Sequence, residues 1–167
     1  MKVYLGTDHA GFELKEKIKK YLTEEGYTVE DCGAYTFDKE DDYPDFISKV
    51  GEAISKNPTD RGIVFGGSGQ AEAMVANKYK NVRAALFYAP RIAPHAVDAN
   101  GRSSDDPFEM IRLTREHNDS NILSLGARLL TDEEAIQAVT QWLTTPFPGD
   151  ARHIRRINKI KEIEQKI

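Results

Sequence analysis

Arg61–Phe65 (RGIVF), Gly66-Gly67-Ser68-Gly69 (GGSG) and the run from Gln70 (QAEAMVANKY) are the stretch whose reading decides the fold. An apolar run, a glycine cluster, and a resumption at helical spacing predict strand, tight loop and helix, the helix running from about Gln70 to Tyr79. The same alternation recurs on both sides. Toward the N-terminus, Met1–Gly6 (MKVYLG) reads as a strand, and Leu14, Ile18, Tyr21 and Leu22 share one helix face. Glu13 and Lys17 sit four apart on the wet side of that helix. Gly26 stops it, and Tyr27–Asp31 (YTVED) reads as the second strand. Pro44 suits a first helical turn, with Phe46, Ile47, Val50, Ala53 and Ile54 as the buried stripe. Toward the C-terminus, Val82–Tyr88 (VRAALFY) reads as a fourth strand covered on both faces. Residues 89–107, with three prolines and one glycine, read as a long loop. Phe108–His117 reads as a helix and Ile122–Leu125 as the fifth strand. Thr131 and Glu134 form a capping box for a helix to about Leu143, ended by Pro146 and Pro148. Ile154, Ile157, Ile160, Ile163 and Ile167 mark a closing amphipathic helix. Strand–helix alternation repeated five times predicts an α/β domain on a parallel sheet. Ligands of such sheets sit beyond the carboxyl ends of the strands, so the loops after the first and third strands carry the interest.

A chain of 167 residues is the size of one domain, taken as 1–167, and folding buries roughly 70% of its unfolded surface. With 23 basic against 27 acidic residues the balance is acidic, which argues against a protein that wraps nucleic acid. Cys32 is the only cysteine, so neither an intrachain disulfide nor a cysteine-based zinc site can form. No run of 18 apolar residues occurs, and the first 20 residues include Asp8, Glu13 and six lysines or histidines, unlike a signal peptide. The expectation is a cytoplasmic protein with no membrane or nucleic-acid partner.

Several residues could do chemistry. Small residues at 66–69 let backbone N–H groups approach a ligand at a helix start, though a tight turn alone would use the same residues. Ser68 and Glu72 lie four apart on one helix face, where Glu72 is either an exposed helix-start carboxylate or a general base facing a ligand. Asp8 and His9 follow the first strand at the mouth of the same crevice, a place a plain surface turn could also fill. His117-Asn118-Asp119 precedes the fifth strand, and Asn and Asp are common in turns. Arg152 and Arg156 can converge on one dianion, and cations at a helix start oppose the dipole, which disfavours a merely decorative placement.

Taken together, TDHAGFELK (Thr7–Lys15), DYPD (Asp42–Asp45), GGSG…ANK (Gly66–Lys78), REHND (Arg115–Asp119), LGAR (Leu125–Arg128) and RHIRRI (Arg152–Ile157) resemble the type B ribose-5-phosphate isomerase family, which includes galactose- and allose-6-phosphate isomerases. The motifs are co-linear over nearly the whole chain. The resemblance implies a three-layer Rossmann-like α/β/α domain, five parallel strands in the order 2-1-3-5-4, and a C-terminal helix. It implies isomerisation of sugar phosphates with no metal and no cofactor. It also implies a homodimer, or a tetramer formed by two such dimers, whose site is shared so that the histidine of REHND serves the partner.

The roles implied by the resemblance are these. His9, Arg152 and Arg156, assisted by Arg128, hold the phosphate. Asp8 and His117 open the ring. Tyr43 and Asn118 orient hydroxyls, and Asn77 of the ANK motif joins the binding set. Backbone groups from Gly67 through Gly69 to Ala71, with Ser68, stabilise an enediolate. Many family members carry a cysteine base where this chain has Gly66. A second branch has glycine there and a glutamate at the position of Glu72, so Glu72 is expected to be the base, although that branch usually has glycine where Ala71 stands. The segment from about Tyr88 to Arg112 is longer than is usual in the family, an insertion expected to edge the partner's site. The substrate expected is ribose 5-phosphate or ribulose 5-phosphate. The alternatives are a six-carbon sugar phosphate, a non-catalytic sugar-phosphate-binding subunit, and a flavodoxin-like nucleotide binder.

Overall fold

A computed structural model of the chain describes residues 1–166. Its elements are β1 (Lys2–Thr7), a 3-10 turn (His9–Gly11), α1 (Phe12–Glu24), β2 (Thr28–Asp31), α2 (Pro44–Lys56), β3 (Arg61–Gly66), α3 (Gln70–Ala76), β4 (Ala84–Phe87), α4 (Glu109–Asn118), β5 (Ile122–Gly126), α5 (Asp132–Thr144) and α6 (Ala151–Glu164). The five strands are parallel, in the order β2-β1-β3-β5-β4, as the resemblance implied. Thr7 pairs with Phe65 and Gly66 with Gly126, so the loops leaving β1, β3 and β5 emerge side by side.

Apolar periodicity sorts the helices into two layers. Leu14, Ile18 and Leu22 of α1, Ile111 of α4, and Ala138, Val139 and Trp142 of α5 pack with Leu5, Ile63, Phe65 and Leu123 on one face of the sheet. Ile47, Val50 and Ile54 of α2, with Ala76 of α3, pack on Tyr4, Val64 and Ile122 on the other. Each large apolar side chain so buried contributes about 1.5–3 kcal/mol of transfer free energy. The Thr131–Glu134 capping box forms as expected, and Pro44 opens α2.

The structure corrects the sequence reading at several points. β4 covers only Ala84–Phe87 and lies at the sheet edge, with Ala84, Ala85 and Leu86 partly exposed rather than covered on both faces. Val82 and Arg83 leave the ladder because the Arg83 amide donates to the Asn121 side chain at 2.8 Å. α3 stops at Ala76, not Tyr79: the Asn77 side chain accepts from the Ala84 amide at 2.8 Å and donates to the Ala84 carbonyl at 3.0 Å, stitching the helix end to β4. Lys17 pairs with Asp132 on α5 at 2.6 Å rather than with Glu13. In the closing stripe only Ile157 is buried; Ile154, Ile160 and Ile163 are exposed, and Ile167 lies outside the described residues. Lys15 is fully buried, its ammonium held by Asp31 at 2.7 Å and Glu16 at 2.8 Å, which ties α1 to β2.

Candidate active site

The glycine loop positions Glu72. Gly69 caps α3 at φ +75, a left-handed conformation natural to glycine, and a Cβ there would meet Leu86 Cδ1 at 2.8 Å and the Leu125 carbonyl carbon at 2.9 Å. Ser124 Oγ holds the turn by donating to the Gly69 carbonyl at 2.6 Å. The reversal folds the first turn of α3 back over the end of β3. Glu72 is thereby only 4% exposed, and its carboxylate lies against the Cα of Gly66. A Cβ at residue 66 would fall 2.0 Å from Glu72 Cδ. Burial pushes the Glu72 pKa up; its own backbone N–H opposes the rise and the neighbouring Asp8 charge adds to it, leaving the group above the usual carboxylate range.

The register of β1 against β3 brings Asp8 to the same place. Asp8 is buried and accepts from the Ala10 amide at 2.9 Å. His9, half-buried, is fixed by Asp41: Asp41 Oδ1 accepts the His9 amide at 3.0 Å and lies 2.7 Å from the ring Nδ1. Ser68 begins the turn, its Oγ accepting from the Gln70 amide at 3.4 Å. The Arg128 amide donates to the Gly67 carbonyl at 3.1 Å, and the guanidinium lies over Gly67. His9 and Arg128 line a cavity of about 320 Å³. Asp8, His9, Gly67, Ser68, Gly69, Glu72 and Arg128 are thus gathered at the carboxyl ends of β1 and β3, the crevice expected from the sequence. One donor atom each from Asp8, His9 and Asp41 lies within 4.8 Å of the others, a spacing that could hold a cation.

His117 and Arg152 stand apart from this group. They line a larger cavity of about 650 Å³ that shares no residue with the first. The His117 ring stacks on His153, with centroids 4.4 Å apart and planes 9° apart. His153 is buried, and burial, reinforced by His117 and by the neighbouring Arg152, lowers its pKa. Glu116 lines the same cavity as His117, while Arg115 and Asp119 of the REHND run are frame. Buried Arg115 pairs with Asp119 at 2.7 Å and donates to the Thr145 carbonyl at 3.2 Å, while Arg83 donates to Asp119 at 2.9 Å. Asp119, at φ 44, ends α4 in a left-handed turn. Arg156 is exposed one turn after Arg152, and neither arginine forms an ion pair among the described residues. Asn118 and Asn77 line a separate cavity of about 320 Å³, with the Asn77 amide engaged by Ala84. Tyr43 caps α2 and packs against the second core cluster.

Two members of the site were missed in the sequence. Asp41 sits in an acidic loop 32 residues from His9, and no local spacing connects them. His153 lies inside RHIRRI, where the flanking arginines draw attention to charge and not to the ring that stacks beneath His117. Buried Cys32, with a pKa pushed up to about 11 by burial, is no substitute base.

The chain is similar to known proteins over nearly its whole length. A profile of the family described as Ribose/Galactose Isomerase matches residues 3–102 and 106–160. A ribose-5-phosphate isomerase B of Mycolicibacterium paratuberculosis is 38% identical over 165 residues, covering 99% of this chain and 92% of its own. A crystal structure of ribose-5-phosphate isomerase B from Mycoplasma genitalium with bound ribulose-5-phosphate superposes with TM-score 0.85 at 35% identity, covering 99% of this chain and 97% of its own. The enzyme of that name from Clostridium thermocellum does so with TM-score 0.83 at 39% identity, covering 99% of each chain. The sheet order and the matches over nearly the whole chain lead to one conclusion: this chain belongs to the Ribose/Galactose Isomerase family.

Proposed function

We propose that the chain is an aldose–ketose isomerase that interconverts ribose 5-phosphate and ribulose 5-phosphate, with Glu72 as the base. The observation that carries this reading is the Glu72 carboxylate, buried against Gly66 at the carboxyl end of β3 and held above the usual carboxylate range. A base gains from a pKa nearer the working pH and a short path to the proton it moves, and burial shifts the Glu72 carboxyl upward, in that direction. In the proposed sequence Asp8 and His117 open the furanose by taking the anomeric hydroxyl proton and delivering one to the ring oxygen. Glu72 then removes the C2 proton. The resulting cis-enediolate is stabilised by Ser68 and the backbone amides of the loop. Glu72 returns its proton to C1, and the O2 proton passes to O1, completing the ketose. His9, Arg128, Arg152 and Arg156 hold the phosphate. Proton transfer among side chains accounts for every step, so no metal or cofactor enters the scheme.

A single chain carries two half-sites, one around Glu72 and His9 and one around His117 and Arg152, lining different cavities. We infer that a second copy completes each site by bringing its own His117 and Arg152. The exposed Ile154, Ile160 and Ile163 supply an apolar face for such a contact. A coupled assay with ribose 5-phosphate tests the reading. Saturable formation of ribulose 5-phosphate supports it, and a kcat/KM strongly favouring an aldohexose 6-phosphate would replace the substrate while keeping the chemistry. Binding without turnover of either sugar would contradict an enzymatic role.

A further inference from the structure

The long segment between β4 and α4 has a job that the proposed reaction leaves unassigned. It has no regular secondary structure, yet it is tied down at both levels. At its base the Arg91 amide donates to the Pro107 carbonyl at 2.7 Å, and nearer the tip the Val97 amide donates to the Arg102 carbonyl at 2.7 Å. Asp98 Oδ1 accepts the amides of Asn100 at 2.8 Å and Arg102 at 3.1 Å, closing a turn. Arg102 then bridges Asp98 and Glu109, at 3.2 and 2.8 Å. Glu109 is 1% exposed and is the hub: Ser104 Oγ donates to it at 2.9 Å, and Arg112 pairs with it from the next turn of α4. Burial alone would raise the Glu109 pKa, but these hydrogen bonds outweigh it and hold the group below its ordinary value, so the hub is anionic. The turn is therefore a fixed wall.

The wall faces the half-site. Asp98, Asn100 and Arg102 line the same 650 Å³ cavity as His117, Arg152 and His153. The family match breaks at residues 103–105, within this segment. We propose that the turn Asp98–Arg102 is a specificity-determining element of the sugar-phosphate site, holding it to five-carbon substrates; this rests on the isomerase reading above. The geometry gives the reason. His117 serves the reacting ring and Arg152 the phosphate, so the additional carbon of a hexose phosphate must be accommodated along the span between them. Asp98, Ala99, Asn100 and Arg102 of the turn share the cavity with both of these residues, so the turn bounds the volume open to that carbon. One methylene in an apolar pocket is discriminated by about 10- to 200-fold, and the hydroxymethylene that a hexose phosphate adds is the larger group.

Two variants test the proposal with purified full-length protein, ribose 5-phosphate and allose 6-phosphate. Replacing residues 98–102 with Gly-Gly opens the cavity and should raise relative use of allose 6-phosphate, measured as the ratio of kcat/KM values, at least tenfold. The substitution Asn100→Trp keeps every hydrogen bond of the turn, because residue 100 contributes only its backbone amide. It fills the cavity and should raise KM for ribose 5-phosphate at least tenfold. Where the shortened variant folds, a substrate ratio within twofold of the parent overturns the proposal. Where it does not fold, Asn100→Trp decides, and a KM within twofold of the parent overturns it. Parent protein inactive on both sugars would instead overturn the isomerase reading itself, an outcome distinct from either.

Discussion

The carboxylate of Glu72 occupies the space that any side chain at residue 66 would need: a Cβ there lies 2.0 Å from both Glu72 Cδ and Glu72 Oε1. A glycine at the end of β3 and a glutamate in the first turn of α3 are thus one unit. The structure gives a physical reason why a base at position 66 and a base at position 72 exclude each other.

Gly66→Ala should therefore evict the carboxylate, and misplacing a catalytic group by about an ångström costs roughly 10²-fold in rate. We expect kcat to fall by at least that factor, measured by steady-state kinetics on protein whose thermal unfolding is still cooperative. The double variant Gly66→Cys with Glu72→Ala frees the space for a thiol. It should recover part of the lost activity relative to Glu72→Ala alone.

The raised pKa of Glu72 has opposite consequences for activity and stability. A general base works when ionised, so kcat/KM should rise with pH through a limb lying above the ordinary carboxylate range. For stability the sign reverses. A carboxyl whose folded pKa exceeds its unfolded value binds its proton more tightly in the folded state. Its contribution is full below the unfolded pKa and is lost as pH rises through the folded one. Glu72→Gln removes this ionisation. Its Tm should exceed that of the parent at neutral and alkaline pH, with the gain shrinking below the ordinary carboxylate range, as thermal melts across pH would show.

Asp41 should matter through His9. One carboxylate oxygen holds both the His9 amide and its ring nitrogen. A hydrogen bond to a charged group contributes about 1.5–3 kcal/mol. Asp41→Asn keeps the size and removes the charge, and KM for the sugar phosphate should rise about tenfold while kcat changes less. An unchanged KM would place His9 outside the phosphate grip.

The two half-sites predict complementation. In the proposed shared-site dimer, mixing Glu72→Ala subunits with His117→Ala subunits would give hybrids with one intact and one doubly altered site. Activity should reappear on mixing, in step with subunit exchange followed by native mass spectrometry. No recovery despite exchange would place the whole site within one chain.

What the sequence made legible follows from locality. The glycine cluster between an apolar run and a helical run fixed β3, the loop and α3, because each signal lies within a few residues of the next. Asp8 and His9 could be placed because parallel sheets put strand ends together. The boundaries of β4 and α3 were not legible. They depend on Asn121 bonding Arg83 and on Asn77 bonding Ala84, contacts made only once the strands align. Asp41 beside His9 and His153 beneath His117 were hidden for the same reason: 32 and 36 residues separate the partners. Lys17 found Asp132 across the helix layer in preference to its own helix neighbour Glu13, a tertiary choice that helical spacing does not encode.

In the proposed reaction Glu72 carries hydrogen between C2 and C1. The decisive measurement is the turnover of Glu72→Gln on ribose 5-phosphate beside its Kd for a linear sugar-phosphate analogue. With Glu72 as the base, kcat should fall by about 10³-fold or more with Kd within threefold of the parent, since the amide keeps the shape of the site and cannot accept the proton. Turnover within a few-fold of the parent would contradict that role.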